Sequence, residues 1–218
     1  MLNSSWRTVG EKPILIGLTG GIASGKSTVI QYLRYQGYPV IDADKLGHKV
    51  LEPSNPGYSK VVEKFGVGIL NKDKSINRLI LAGIVFSDPS KLQALNEISH
   101  PLIAEMVMKE FESIVSDDSN GIVFLEAALL IEANWYNMCH HIWVITLEVA
   151  EERRRLQKRD DLSESEARSR LESQLSIKER LAYADVVLDN NGSRKDLLSQ
   201  TQQALEGLQS NELEGITR

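Results

Sequence analysis

The chain has 218 residues, 42% of them hydrophobic and 25% charged, with a formal net charge of -5 and a single cysteine, Cys139. That length buries one good core with room for a small extra lobe, and the acidic balance argues against nonspecific binding to nucleic acid. One cysteine excludes an internal disulfide framework and suits a reducing compartment.

No signal-like leader, internal repeat or low-complexity segment is visible, and no stretch approaches the roughly 18 apolar residues of a membrane helix. The expectation is a one-domain cytoplasmic protein with no membrane or nucleic-acid partner. Residues 1–13 read as a polar lead-in apart from Trp6 and Val9.

The apolar run Ile14-Leu15-Ile16-Gly17-Leu18, with Pro13 at its head, has the character of a buried parallel strand. It leads into Gly20-Gly21-Ile22-Ala23-Ser24-Gly25-Lys26-Ser27-Thr28, which contains the full phosphate-binding pattern Gly-x-x-x-x-Gly-Lys-Ser. Val29, Ile30 and Leu33 then recur at helical spacing, with Gly37 as the stop. Strand, glycine-rich loop and helix together aim backbone N–H groups and a helix N-terminus at a polyphosphate. In that arrangement Lys26 reaches the β- and γ-phosphates and the Ser27 hydroxyl holds a Mg²⁺ ion. The chain is therefore expected to bind a nucleoside triphosphate.

A second short strand, Tyr38-Pro39-Val40-Ile41, runs into Asp42-Ala43-Asp44. In open α/β sheets ligands gather at the carboxyl ends of strands, so these carboxylates are expected on the same edge as the P-loop. A carboxylate there can accept a proton from an attacking hydroxyl or bind Mg²⁺ through water. Asp42 or Asp44 can equally cap the helix expected from Lys45, and the two roles are compatible.

Residues 45–50, 58–65, 78–86 and 91–115 read as helices, with breaks at Glu52-Pro53-Ser54-Asn55-Pro56-Gly57 and Asp88-Pro89. That much helix between the second and third strands is too long for one crossover and reads as an insertion beside the sheet. Its polar candidates are His48, Arg78 and His100; each also fits ordinary packing or a surface ion pair, and spacing does not choose among them.

Residues 121–125 form the third expected strand, closed by Glu126 at the position where P-loop proteins place a Mg²⁺-binding carboxylate. Helix capping is the alternative role for Glu126. Residues 127–132 make an apolar turn into a short helix ending near Trp135. The fourth strand spans residues 140–145. Its His140-His141 pair does not suggest a metal site, because adjacent strand residues point to opposite faces.

The most charged stretch follows, with Arg153, Arg154, Arg155, Lys158 and Arg159 between Glu148 and Asp161. Arg155 and Arg159 share one helical face, and Glu151 precedes Arg155 by four residues, so some of this is helix salt-bridging. Its place after the fourth strand suits a cationic lid that neutralises charge on a transferred phosphoryl group. Ser163-Glu164-Ser165-Glu166 opens a further helix with a capping-box pattern, and residues 174–182 form another, with Arg180 near its end. Residues 184–188 make the fifth strand. It ends in Asp189-Asn190-Asn191-Gly192, a turn able to pack against a nucleotide base through backbone and amide groups. A helix over residues 193–208 covers the sheet, and residues 209–218 are a polar tail.

Strands alternating with helices imply a doubly wound parallel α/β sheet. A GTPase switch needs a guanine-reading Asn-Lys-x-Asp, but Asn71-Lys72-Asp73 is followed by Lys74 and lies in the insertion. Asp189-x-x-Gly192 comes at the last strand, far from a switch position. A small-molecule phosphotransferase accounts for more: an acceptor-binding insertion, a carboxylate after the second strand and an Arg-rich lid.

Taken together, the P-loop, Ile41-Asp42-Ala43-Asp44, Ile76-Asn77-Arg78, His100-Pro101-Leu102-Ile103, Gln157-Lys158-Arg159-Asp160-Asp161 and Asp189-Asn190-Asn191-Gly192 resemble dephospho-CoA kinase. They stand in that family's order and span residues 14–192. Glu126-Ala127-Ala128-Leu129-Leu130 departs from the usual Asp-x-Pro-Leu-Leu of bacterial members and is more similar to the kinase half of the bifunctional animal CoA synthase. No adenylyltransferase half is expected, since only residues 1–13 precede the first strand.

The resemblance implies a P-loop kinase fold and ATP-dependent phosphorylation of the ribose 3′-hydroxyl of dephospho-CoA. The expected arrangement is one kinase domain over residues 14–208. Residues 14–44 and 120–208 are its core, residues 45–119 the acceptor-binding insertion, and residues 148–165 the lid. By the same resemblance Lys26, Asp44 and Arg155 are catalytic, and Gly20 to Thr28, Arg159, Asn190, Asn191 and Gly192 hold ATP. Asp44, His48, Arg78, His100, Leu129 and Leu130 meet the acceptor, while Ser27 and Glu126 serve Mg²⁺, Glu126 directly or through water. A nucleoside or nucleoside-monophosphate kinase of the same fold is the alternative, and a non-enzymatic ATP-binding module a more remote one.

Overall fold

The computed structural model describes residues 13–117 and 121–209. The expected lead-in (apart from Pro13) and nearly all of the expected tail lie outside the described residues.

The chain divides into two compact units, one formed by residues 1–41 and 114–218 and the other by residues 42–113. The first holds a parallel sheet of β1 (Ile14–Gly20), β2 (Val40–Asp42), β3 (Ile122–Glu126), β4 (His141–Thr146) and β5 (Val186–Asp189). Their order across the sheet is β2-β3-β1-β4-β5. β1 is central, pairing Leu18 with Glu126 of β3 and Gly20 with Ile145 of β4. It is buried almost throughout, which is why it reads as a continuous apolar run. β2 supplies only three residues, and Phe124 N–H donates to Pro39 O at 3.0 Å beside it. Proline is tolerated there because its ring sits at the head of an edge strand.

Helix α1 (Lys26–Tyr35) packs Val29, Ile30 and Leu33 onto the sheet. They join Ile16, Leu18, Phe124, Trp143 and Leu188 in one core cluster, covered also by Leu197, Leu205 and Leu208 of the last helix. Phe124 and Trp143 meet edge-on, with ring centroids 5.2 Å apart.

The second unit is helical, containing α2 (Ala43–Lys49), α3 (Pro56–Phe65), α4 (Arg78–Phe86) and most of α5 (Pro89–Asp117). It has its own core of Val61, Ile69, Ile76, Leu81 and Val85. The unit begins at Asp42, where α2 follows β2 directly. A short 3₁₀ turn at Val67–Ile69 and a bridge between Leu70 and Ile76 were not expected from the sequence.

After β4 the first unit continues with α6 (Val149–Asp160), α7 (Glu164–Glu172), α8 (Ile177–Leu181) and, after β5, α9 (Arg194–Gln209). Ser163 and Glu166 complete the expected capping box of α7. The helix expected over residues 174–182 is shorter, because Ser176 and Glu179 form a second capping box that starts α8 at Ile177. Gln174 therefore lies in the connection between α7 and α8. No helix among the described residues is long and apolar enough to cross a membrane.

Candidate active site

β1 carries the chain to Gly20, a tight turn joins Gly21 O to Ser24 N–H at 3.2 Å, and α1 begins at Lys26. The turn takes left-handed backbone at Ala23 (φ 61°) and Gly25 (φ 108°). Lys26 Nζ donates to Gly20 O at 2.8 Å and to Gly21 O at 3.0 Å, so the ammonium arches back over the loop. Ser27, in the first turn of α1, is exposed. Amides, lysine and hydroxyl are thus assembled as a polyphosphate requires.

Asn190 braces the loop from the end of β5. Its Nδ2 donates to Ser24 O at 2.7 Å, and the side chain is 6% exposed. A Cβ on Gly25 would stand 2.3 Å from that same nitrogen. Gly25→Ala therefore combines left-handed strain, of order 1–3 kcal/mol, with a clash against the brace. A titration with ATP is expected to show affinity lowered by about tenfold or more, since 1.4 kcal/mol is tenfold; an unchanged affinity would contradict this. Asn191 Oδ1 accepts from Glu148 N–H at 2.9 Å, joining the same turn to the start of α6. Gly192 follows, and Ser193 and Asp196 cap α9. The amides expected at a nucleotide base are thus engaged in holding the loop and the start of α6.

On α6, Arg155 Nε donates to Glu151 Oε1 at 2.8 Å. Arg154 grips the same carboxylate with two bonds, at 2.6 and 2.8 Å. Bonds from Arg154 first, and then from Arg155, hold the Glu151 carboxyl down to about 2. Arg159 pairs with Asp160 at 2.7 Å, and Arg170 of α7 reaches Asp160 at 2.9 Å, tying the two helices together.

Glu126 ends β3 and is followed by turns, with a 3₁₀ helix only at Trp135–Met138, so it caps no helix. Its partner in register is Leu18, two residues before Gly20, which sets the carboxylate at the P-loop edge. Ser27 and Glu126 are both oxygen donors, as Mg²⁺ prefers. Among the described residues no group of three or more His, Cys, Asp or Glu could hold a metal. The donors present fit an ion carried chiefly by nucleotide phosphates and water. His140 Nδ1 accepts from Leu15 N–H at 3.0 Å, a structural use of that ring.

Leu130 is fully buried, so its side chain is core and not a surface for the acceptor; Leu129 is 39% exposed. Packing against the sheet separates the two neighbours, which the motif alone does not.

The helical unit holds the remaining expected residues. Asp42 is the cap of α2, accepting from Lys45 N–H at 3.0 Å, while Asp44 lies in the first turn and is exposed. Capping therefore does not account for Asp44. Arg78 opens α4 behind the cap Asn77, and its Nη2 donates to His48 O at 3.5 Å. His48 and Arg78 are thus brought together. Half-buried His100 lies on α5, and burial lowers its pKa.

Gln174 and Glu152 are additional polar residues at the P-loop that were not expected there from the sequence, and Arg180 and Glu132 hold the Gln174–Leu175 segment behind them. Gln174 bonds the amide of Ile22, 152 positions away, and no local pattern announces such a pairing.

Residues 14–196 match the family model described as dephospho-CoA kinase. A curated dephospho-CoA kinase of Shouchella clausii is 40% identical over 190 residues, covering 87% of this chain and 96% of its own length. The solved dephospho-CoA kinase of Campylobacter jejuni is 29% identical, with a TM-score of 0.68 over 91% of this chain and 98% of that one. A solved protein of Thermus thermophilus is 34% identical, with a TM-score of 0.74 over 92% and 98% of the two chains.

Proposed function

The chain belongs to the dephospho-CoA kinase family, and we propose that its two units divide the reaction between donor and acceptor. The reaction is transfer of the γ-phosphoryl group of ATP to the ribose 3′-hydroxyl of dephospho-CoA, giving CoA and ADP. It is the last step of CoA biosynthesis. The P-loop unit holds ATP, and the helical unit supplies the groups that meet dephospho-CoA. The observation that carries the donor assignment is the assembled P-loop, with Lys26 arched over Gly20 and Gly21 and Asn190 bonded to Ser24 O.

Lys26 turns from the loop carbonyls to the β- and γ-phosphates, an exchange of neutral acceptors for charged ones. Ser27 and Glu126 are the residues that would hold a Mg²⁺ ion entering with the nucleotide, which would supply positive charge to the phosphates. Asp44 orients the acceptor hydroxyl and takes its proton. In a loose transition state that proton leaves late, so an ordinary carboxylate suffices. Arg155 neutralises the equatorial oxygens, and Arg159 supports the donor beside it. His48, Arg78, His100 and Leu129 are the acceptor-side groups, Arg78 being suited to a phosphate oxygen. The absence of a disulfide framework and the use of ATP support a cytoplasmic setting.

The test is an acceptor panel. With Mg-ATP the purified chain should phosphorylate dephospho-CoA far faster than AMP, CMP or nucleosides. Rapid transfer to a nucleotide with none to dephospho-CoA would replace this reading with a nucleotide kinase.

A further inference from the structure

Several elements of the P-loop unit converge on the peptide between Gly21 and Ile22. The N–H of Ile22 donates to Gln174 Oε1 at 3.0 Å. The same oxygen accepts from Arg180 Nη2 at 3.3 Å. Arg180, on α8, is 3% exposed. Burial works against its charge, while the carboxylates of Glu132, Glu152 and Glu179 favour it. Glu132 Oε1 also accepts from the N–H of Leu175, the residue after Gln174, at 3.4 Å, which pins the α7–α8 connection.

Glu152 of α6 closes the other side. It is 4% exposed, and its Oε1 lies 2.1 Å from where a Cβ on Gly21 would stand. A side chain at Gly21 would displace that carboxylate from the loop.

A buried ion cluster is weak evidence for stability, because desolvation offsets most of the attraction. Its position calls for a different use. The loop contains two successive glycines at Gly20 and Gly21 and left-handed backbone at Ala23 and Gly25, all of which must be ordered when a polyphosphate binds. Ordering done in advance improves affinity without any new contact to the ligand.

We propose that Gln174, clamped by Arg180, is a positioning residue for the phosphoryl donor: it fixes the Gly21–Ile22 peptide so that the loop amides beyond it stand ready for ATP. The inference rests on the assignment of the P-loop to ATP and is independent of the acceptor. It also makes the α7–α8 connection part of the donor site, since Gln174 bonds the Ile22 N–H while the Glu152 carboxylate of α6 packs beside Gly21.

Gln174→Met keeps the length and volume of the side chain and removes the accepting oxygen. ATP binding, followed by fluorescence titration without acceptor, is expected to weaken about tenfold, the loss of one well-placed hydrogen bond at the upper end of its range. KM for ATP should rise in parallel. KM for dephospho-CoA should stay within about twofold and the melting temperature within a few degrees, which a merely structural role would not separate. Wild-type ATP affinity, or equal losses in both KM values with a lowered melting temperature, would overturn the proposal. Should Gln174→Met not fold, Arg180→Lys is read by the same titration. It keeps the charge facing Glu132 and Glu152 but loses the planar fork, and an unchanged affinity there is equally contrary. If the wild-type chain binds ATP yet phosphorylates no dephospho-CoA, the acceptor reading fails, while the titration still decides on Gln174.

Discussion

Arg155→Ala is expected to lower kcat by about 10³-fold while changing the affinity for ATP little, the behaviour of an arginine that meets charge only in the transition state. The side chain is well placed to change partners. Its bond to Glu151 is a half-exposed i, i+4 helix pair at the surface, a class worth about 0–1 kcal/mol. Arg154 holds that carboxylate through two bonds, so Glu151 keeps a counter-ion when Arg155 leaves. Arg154→Ala is the matching control: it removes the neighbouring charge and should leave turnover within about twofold, the effect of an exposed ion pair. Single-turnover kinetics with saturating Mg-ATP and dephospho-CoA distinguish the two. Near-normal transfer in Arg155→Ala would remove Arg155 from the chemistry and leave α6 as a charged surface helix.

The second large effect is expected at Asp44. Asp44→Asn should reduce turnover by about 10²- to 10⁴-fold, the range for loss of a positioned acid–base group. Stability should change little, because Asp42 and not Asp44 caps α2 through the Lys45 N–H. ATP affinity should persist, since the donor groups are those of the P-loop unit. A variant that turned over normally would exclude Asp44 as proton acceptor, and one that lost ATP binding would place it on the donor side.

Features encoded within a few residues were readable in advance. The P-loop is such a case: apolar strand, glycine spacing, lysine and helix are all local, and each is found where its chemistry demands. The strands were visible as short apolar runs bounded by turns, and the capping box at Ser163 and Glu166 specified the start of α7. Features that depend on folding were not. The order β2-β3-β1-β4-β5 is a property of pairing between distant segments. Asn190 supports Ser24 across 166 positions, and Gln174 supports Ile22 across 152. Leu129 and Leu130 look alike in the chain, and only packing against the sheet sends one inward. α2 begins at Ala43, two residues before the expected Lys45, so the cap is Asp42 and Asp44 is left for another role.

The central claim, that the P-loop donates to a ribose 3′-hydroxyl, is tested most directly by the position of the transferred phosphate. The purified chain should be incubated with dephospho-CoA and γ-labelled Mg-ATP, and the product treated with a nucleotidase specific for 3′-phosphates. The account predicts labelled CoA that supports a CoA-dependent enzyme and releases all of its label to that nucleotidase. Label that resists it, or that appears only in added nucleotides, would contradict the account.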